Sequence, residues 1–340
     1  MPHAPPSMPS FAVPGLIPPA VTHIPENLPA RAFRRCPARS RAGCAGALDR
    51  RRRPVIMLES QIPRWRRIMD LTVLGTAAAE AWPAPFCVCE ACREAARRGG
   101  KDLRRRANYQ LGTDIHIDWG PDAYHCMLAF GIDYSPLRHL LVTHPHQDHW
   151  TPVDLLWRRR GFAKLPEESQ LTVYGNALVG ERLRQTVRAP LSELSMDYRH
   201  IREFERLDLG SAVATPLPAS HAPEEGAFIF LIEVGGSRVL IGHDTGWFPE
   251  ATWEYLAGAG MSVALLDCTY GTADRREGHM GGQGVIDTMR ALQEIGAATD
   301  NSRIIATHFS HNCLSLHDEL LRFFSPHGIE CAFDGMRISL

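Results

Sequence analysis

The chain has 340 residues, 44% of them hydrophobic, enough for one large domain or two small ones with a sizeable core. No apolar run approaches the roughly 18 residues of a membrane helix, and the N-terminus lacks the compact apolar core of a secretory signal, so neither class is expected. The formal charge of −1 is uneven: residues 1–69 hold twelve Arg, no Lys and three acids (Glu26, Asp49, Glu59), so the rest carries −10. Such a body argues against general nucleic-acid affinity, which needs a basic face, but leaves room for a small phosphate ester at a metal site.

Residues 1–68 contain twelve of the 25 prolines and show no sustained periodicity. Proline removes backbone donors and Arg repels Arg, so a disordered Arg/Pro-rich extension is expected there, ahead of one catalytic domain over 69–340. A targeting peptide or basic tail is the alternative. The natural start is read at Met69 or Met57, because MDLTVLGTAAA opens as a first strand would. From there, short apolar runs predict strands over 71–75, 114–118, 139–143, 171–174, 228–233, 238–242, 263–267, 303–306 and 336–339. Helical spacing predicts helices over 89–98, 152–160, 177–188, 250–259, 283–295 and 315–324. Strands pair early and alternate with helices late, which implies layered sheets with helices outside, an α/β (α+β) arrangement.

The stretch LVTHPHQDHWTP, just after an apolar run, packs His144, His146, Asp148 and His149 into six positions. Imidazole and carboxylate are ligands for Zn²⁺, Mn²⁺ or Fe²⁺. An extended strand end would aim His144 and His146 one way, and the following turn would bring Asp148 and His149 to a neighbouring point. Such a stretch can serve two cations about 3.5–4 Å apart. Further candidates follow apolar runs or turns: His221 in PLPASHAP, Asp244 in VLIGHDTG and His308 in IIATHFSH. Each has a plainer reading, His221 as a turn histidine and Asp244 as a helix N-cap before TGWFPE. Strand alternation points His243 away from Asp244.

Nine cysteines, three of them at Cys87, Cys89 and Cys92, suit metal thiolates in a reducing, cytoplasmic compartment better than a disulfide framework. Three buried thiols without metal are the alternative. Structural zinc is tetrahedral and would need a fourth ligand.

In order, LGTAAAE, HIDWG, THPHQDH, SHAP, HDTG and ATHFSH resemble the metallo-β-lactamase superfamily of hydrolases, over about residues 70–340. FCVCEACR, THFSH and the ending FDGMRIS resemble, within it, the PhnP-type phosphodiesterases of the carbon–phosphorus lyase pathway. The resemblance implies a four-layer αββα sandwich with a zinc knuckle near its start. It implies two divalent cations, Mn²⁺ or Zn²⁺: one held by His144, His146 and His221, the other by Asp148, His149 and His308, with Asp244 bridging. It also implies His311 as the fourth ligand of a structural Zn²⁺ with Cys87, Cys89 and Cys92.

A hydroxide made available between two cations would attack phosphorus in line, oriented by Asp148 or Asp244. His279, in RREGHMGG, is the candidate general acid, an exposed loop histidine being the plainer reading. Gly278, Gly281 and Gly282 suggest a mobile loop around it. Arg158, Arg159 and Arg160 either bind substrate phosphate or cover a helix end. The substrate class the resemblance implies is a small cyclic ribose phosphodiester; it also leaves a homodimer open. Rival readings are a tRNA 3′-end endonuclease, a lactone or thioester hydrolase, and a non-hydrolytic protein resembling the cofactor-biosynthesis member PqqB.

Overall fold

The computed structural model describes residues 69–340. The Arg/Pro-rich extension expected over 1–68 lies outside the described residues. Among the described residues there are fourteen strands: β1 (Asp70–Gly75), β2 (Asn108–Leu111), β3 (Ile115–Ile117), β4 (His139–Leu141), β5 (Leu171–Gly175), β6 (Met196–His200), β7 (Leu207–Asp208), β8 (Val213–Pro218), β9 (Phe228–Val234), β10 (Ser237–Gly242), β11 (Val263–Asp267), β12 (Arg303–Thr307), β13 (Glu330–Cys331) and β14 (Met336–Ser339). Six α-helices join them: α1 (Glu90–Arg98), α2 (Ala123–Phe130), α3 (Ala177–Val187), α4 (Glu250–Leu256), α5 (Gly282–Glu294) and α6 (His317–Phe324).

The strands form two seven-stranded sheets, ordered β14-β1-β2-β3-β4-β5-β6 and β13-β12-β11-β10-β9-β8-β7. Both follow one plan. The first sheet is antiparallel from β14 to β3 and parallel from β3 to β6. The second is antiparallel from β7 to β10 and parallel from β10 to β13. Side chains of a strand alternate faces, and the alternation sorts the apolar residues into three layers. Val73, Ile117 and Leu141 of the first sheet meet Phe230, Ile241 and Leu265 of the second in a central layer. Leu140, Val173 and Met196 face outward onto Val179 and Leu183 of α3. Leu231, Leu240 and Leu266 face outward onto Val285 and Leu292 of α5 and Leu320 and Phe324 of α6. Burying one such side chain is worth about 1.5–3 kcal/mol. Three apolar layers between four structural layers are an αββα sandwich.

Three sequence expectations need correction. The helix read over 152–160 is a 3₁₀ helix, Pro152–Arg158. Only Pro152 and Leu155 are buried in it, too few contacts to hold a longer α-helix, and the Arg158 guanidinium donates to the carbonyls of Leu194, Ser169 and Ser195. Arg158 is therefore a staple between loops, and Arg159 pairs with Glu193 at 2.7 Å. Helix α4 stops at Leu256, because Gly258 and Gly260 take left-handed backbone at φ 70° and 59°. Of the glycines near His279, Gly278 takes left-handed backbone (φ 67°) with open space around it, whereas Gly281 and Gly282 sit in tight contacts. A Cβ at Gly281 would stand 2.2 Å from the Ala273 carbonyl oxygen, and one at Gly282 would stand 2.4 Å from the Phe323 ring.

Candidate metal centre

The site follows from strand direction. β8, β10, β11 and β12 run the same way in the second sheet, and β3 and β4 the same way in the first. Their carboxyl ends carry the chemistry, as is usual for parallel strands. Asp118 follows β3 directly, His144 to His149 follow β4, His221 follows β8, His243 and Asp244 follow β10, Asp267 ends β11, and His308 follows β12. Asp118, Asp244 and His308 take positive φ, 61°, 56° and 60°. Non-glycine residues seldom adopt that conformation, and it gathers at functional sites.

Asp244 is the hub. Its Oδ2 lies 2.9 Å from His149 Nε2, 3.2 Å from His144 Nε2 and 3.8 Å from His308 Nε2. Its Oδ1 lies 3.4 Å from His221 Nδ1 and 3.2 Å from His279 Nδ1. His146 Nδ1 faces His221 Nε2 at 3.2 Å, and Asp148 Oδ2 is 2.9 Å from His149 Nε2. The structure thus gathers all seven expected residues into two groups sharing Asp244: His144, His146 and His221 in one, Asp148, His149 and His308 in the other, the donor atoms of each within 4.8 Å of one another.

The donor set fits cations. Nε2 of His144, His149 and His308 and Oδ1 of Asp244 are buried, and close as they stand to one another they make no hydrogen bond of proper geometry. Each such orphan costs about 1–3 kcal/mol, so several in one place point to a charge meant to satisfy them. Burial alone would push the Asp244 carboxyl up, but His308, His144 and His149 hold it well below the usual carboxylate range. Asp148 is held low against burial in the same way, by the charge of His149.

Several residues of this centre were not singled out from the sequence. Asp118 accepts from His149 Nδ1 at 2.7 Å and His243 Nε2 at 2.8 Å, so His243 does turn away from the ligand set. Asp267 Oδ2 lies 3.2 Å from both His308 Nδ1 and His279 Nδ1. Thr269 Oγ1 sits between them, 2.9 Å from His308 Nδ1 and 3.2 Å from His279 Nδ1. Glu225 Oε2 lies 3.3 Å from His146 Nε2. Carboxylates behind imidazoles fix tautomer and ring orientation. An Asp closing an apolar strand, as in IHID and ALLD, was the available signal. Burial would lower the His279 imidazole, but its hydrogen bond to Asp267 and the charges of Asp267 and Asp244 raise it to about 9.

A cavity of about 340 Å³ opens over the cluster, lined by His146, Asp148, His221, Asp244, His279 and His308 together with Glu80, Tyr270, Ser310 and Asn312. A larger one, about 690 Å³, lies by Asp114 and Arg138, at the starts of β3 and β4, away from any cluster of metal-capable side chains. The second candidate centre joins Cys87, Cys89, Cys92 and His311, again with donor atoms within 4.8 Å of one another. Cys89 caps α1, and its Sγ accepts from the Cys92 amide at 3.4 Å. That bond and the His311 contact draw its thiol down to about 6. Burial pushes Cys92 up to about 12. Cys89 is thus the more acidic of the two thiols, and the buried Cys92 would ionise only with a cation beside it.

A double-layered fold with imidazoles and carboxylates converging at its strand ends defines a metallo-hydrolase class. The model of the beta-lactamase superfamily domain matches residues 113–309, and the chain belongs to that family. It is a metallo-β-lactamase-fold hydrolase that resembles PhnP. No curated protein matches the sequence. Among solved structures, a diphosphatase of the PhnP family is 22% identical with a TM-score of 0.64, over 81% of this chain and 98% of that one. Zn²⁺-bound PqqB from Methylobacterium extorquens is 18% identical with a TM-score of 0.61, over 80% and 100%. The short form of human tRNase Z is 17% identical with a TM-score of 0.55, over 79% and 98%. At these identities the likeness is one of fold. No helix among the described residues is long and apolar enough to cross a membrane.

Proposed function

We propose that the chain is a metal-dependent phosphodiesterase acting on small, cyclic ribose phosphodiesters, such as those formed in phosphonate breakdown. The observation that carries this reading is the convergence of unpartnered imidazole nitrogens on Asp244 beneath an open cavity that also holds His279. His144, His146 and His221 would hold one divalent cation and Asp148, His149 and His308 the other, with Asp244 shared; Cys87, Cys89, Cys92 and His311 would hold a structural zinc. Two such cations supply Lewis acidity toward a phosphoryl oxygen and a water acidic enough to attack near neutral pH.

The chain's own residues supply the rest. Asp118 and Asp267 keep His149 and His308 in the tautomer that leaves Nε2 bare. Asp148 and Asp244 offer acceptors that orient an attacking water. His279, its Nδ1 3.2 Å from both Asp244 and Asp267, would carry a proton to the departing alkoxide. Glu80, Ser310 and Asn312 line the side where the organic part of a substrate would lie.

The test is a substrate panel on the metal-loaded chain and on residues 69–340 alone: bis(p-nitrophenyl) phosphate, a ribose 1,2-cyclic phosphate, a diphosphate diester, a tRNA precursor and a lactone. Small diesters should be cleaved by both proteins. Cleavage of the tRNA precursor or the lactone with the small diesters untouched would overturn the reading. Elemental analysis should give about three cations per chain, and about two in Cys89→Ser.

A further inference from the structure

Glu80 belongs to neither ligand set, yet it touches His311 of the thiol cluster and lines the cavity over the other centre. It lies in the loop after β1 and lines the cavity beside Ser310 and Asn312. Its Oε1 accepts from Ser310 Oγ and, at 3.3 Å, from Asn312 Nδ2. The same oxygen is 3.4 Å from His311 Nε2. The other nitrogen of that ring, Nδ1, faces Sγ of Cys87 at 3.5 Å and Sγ of Cys89 at 3.7 Å. An imidazole that coordinates through Nδ1 must carry its proton on Nε2, and a carboxylate placed there enforces that tautomer. Three neighbours of one loop, Ser310, His311 and Asn312, thus meet a single carboxylate oxygen. No hydrogen bond from the described residues reaches Oε2.

We propose that Glu80 is a positioning and specificity residue shared by the thiol cluster and the cavity: it orients His311 toward the thiols, and in that position presents an acidic wall that selects phosphodiesters whose organic part donates a hydroxyl. The second half rests on the phosphodiester reading. A carboxylate beside an anionic substrate is repulsive unless the substrate brings a donor to it. Because Ser310 and Asn312 already direct donors at Oε1, the wall's spare capacity is for accepting. An analogue without the hydroxyl leaves that acceptor unpaired and is rejected.

The experiment uses the full chain with Co²⁺ as probe. A thiolate-to-cobalt absorption band reports the thiol cluster alone, since the other ligand set has no sulfur. Glu80→Ala should weaken Co²⁺ at that band by about tenfold or more. Glu80→Gln, which keeps a carbonyl oxygen, should lose less, and Cys89→Ser should abolish the band. In parallel, KM is measured for glyceryl p-nitrophenyl phosphate and propyl p-nitrophenyl phosphate. The wild-type chain should favour the glyceryl ester by about tenfold in KM. Glu80→Ala should bring the ratio near unity, with kcat moving less than KM. An unaltered cobalt affinity in both variants overturns the proposal, and so does an ester ratio that the substitutions leave in place. If the wild-type chain hydrolyses neither ester, the phosphodiester reading fails by itself, and the cobalt titration alone decides the role of Glu80 at His311.

Discussion

Asp118 accepts from the Thr143 amide at 2.8 Å, from Thr143 Oγ1 at 3.0 Å, and from His149 and His243. It is fully buried, and burial alone would raise its carboxyl; the charge of His149 and the bonds from both imidazoles hold it well below the usual range. Asp118→Asn keeps the shape, removes the charge and turns one donor toward donors. Cation affinity at the centre should fall about 10–100-fold, read by calorimetric titration, with the circular dichroism of the fold retained; an affinity within twofold of wild type would remove Asp118 from the account. Two other histidines make a pH argument. His116 is buried with its Nδ1 on Gln110 Oε1 at 2.7 Å, and burial pushes it down to about 3. His317, buried with Nδ1 3.2 Å from the Arg104 guanidinium, is pushed down to about 4 by burial and by that charge. Both stay neutral in the fold but take up a proton when unfolded below about 6.5. Their contribution to stability is therefore full above that pH and is lost as pH falls toward 4. For His116 alone the loss from pH 7 to 5 is about 2 kcal/mol. Urea midpoints at pH 7 and 5 should show it, and His116→Gln should flatten the difference.

At the scale of elements, the link between β3 and the ligand loop is a backbone contact. The Trp119 amide donates to the His149 carbonyl at 2.7 Å, and the Thr151 amide donates to the Trp119 carbonyl at 2.7 Å. A Cβ on Gly120 would stand 2.0 Å from the Asp148 carbonyl oxygen. Backbone cannot swing aside as a side chain can, so Gly120→Ala should cost about 1–3 kcal/mol of stability and weaken cation binding with it. A variant as stable as wild type that binds cations equally well would show that the loop has slack. The same elements show what could be read beforehand. All nine strands expected from apolar runs are present, because each has a buried stripe. The rest hid for particular reasons. β2, read NYQL, buries Asn108 and Gln110, whose amides bond Arg106 O and His116. β8 carries Pro216 and Pro218 inside a strand. β6 is an edge strand with most of its side chains outward, and β7 and β13 are two residues each. α2 leaves Tyr124 and Leu128 exposed, so no apolar stripe marks it. The candidate ligands stood out in the sequence because metal chemistry crowds rare residue types; Asp118, Asp267 and Glu225 did not, because single carboxylates acquire meaning only through the imidazole they face.

At the scale of the whole molecule, the seven ligand candidates divide between the sheets. His144, His146, Asp148 and His149 follow β4 of the first, and His221, Asp244 and His308 follow β8, β10 and β12 of the second. Neither sheet holds either group alone, since Asp244 belongs to both groups and each group draws on both sheets. The central apolar layer, which sets how the sheets lie against each other, should therefore govern the centre more than the outer layers do. Phe230 is fully buried in that layer, while Leu183 of α3 is fully buried in the outer layer of the first sheet. Truncation to Ala should cost about 3–5 kcal/mol at Phe230 and 2–5 kcal/mol at Leu183. Comparable losses of stability should then have unequal consequences. Phe230→Ala lets the two half-sites shift relative to one another, and divalent affinity should drop with stability. Leu183→Ala loosens α3 on the outer face of the first sheet. That helix holds the ligand loop through the Trp150 indole on the Val179 carbonyl and Arg182 on the Pro145 carbonyl, but the sheets keep their seating, and affinity should fall less. Thermal unfolding and Mn²⁺ or Zn²⁺ titration of the two variants, compared at a temperature where both are folded, decide the matter: equal loss of affinity in both would mean that the centre depends on overall stability and not on the seating of one sheet upon the other.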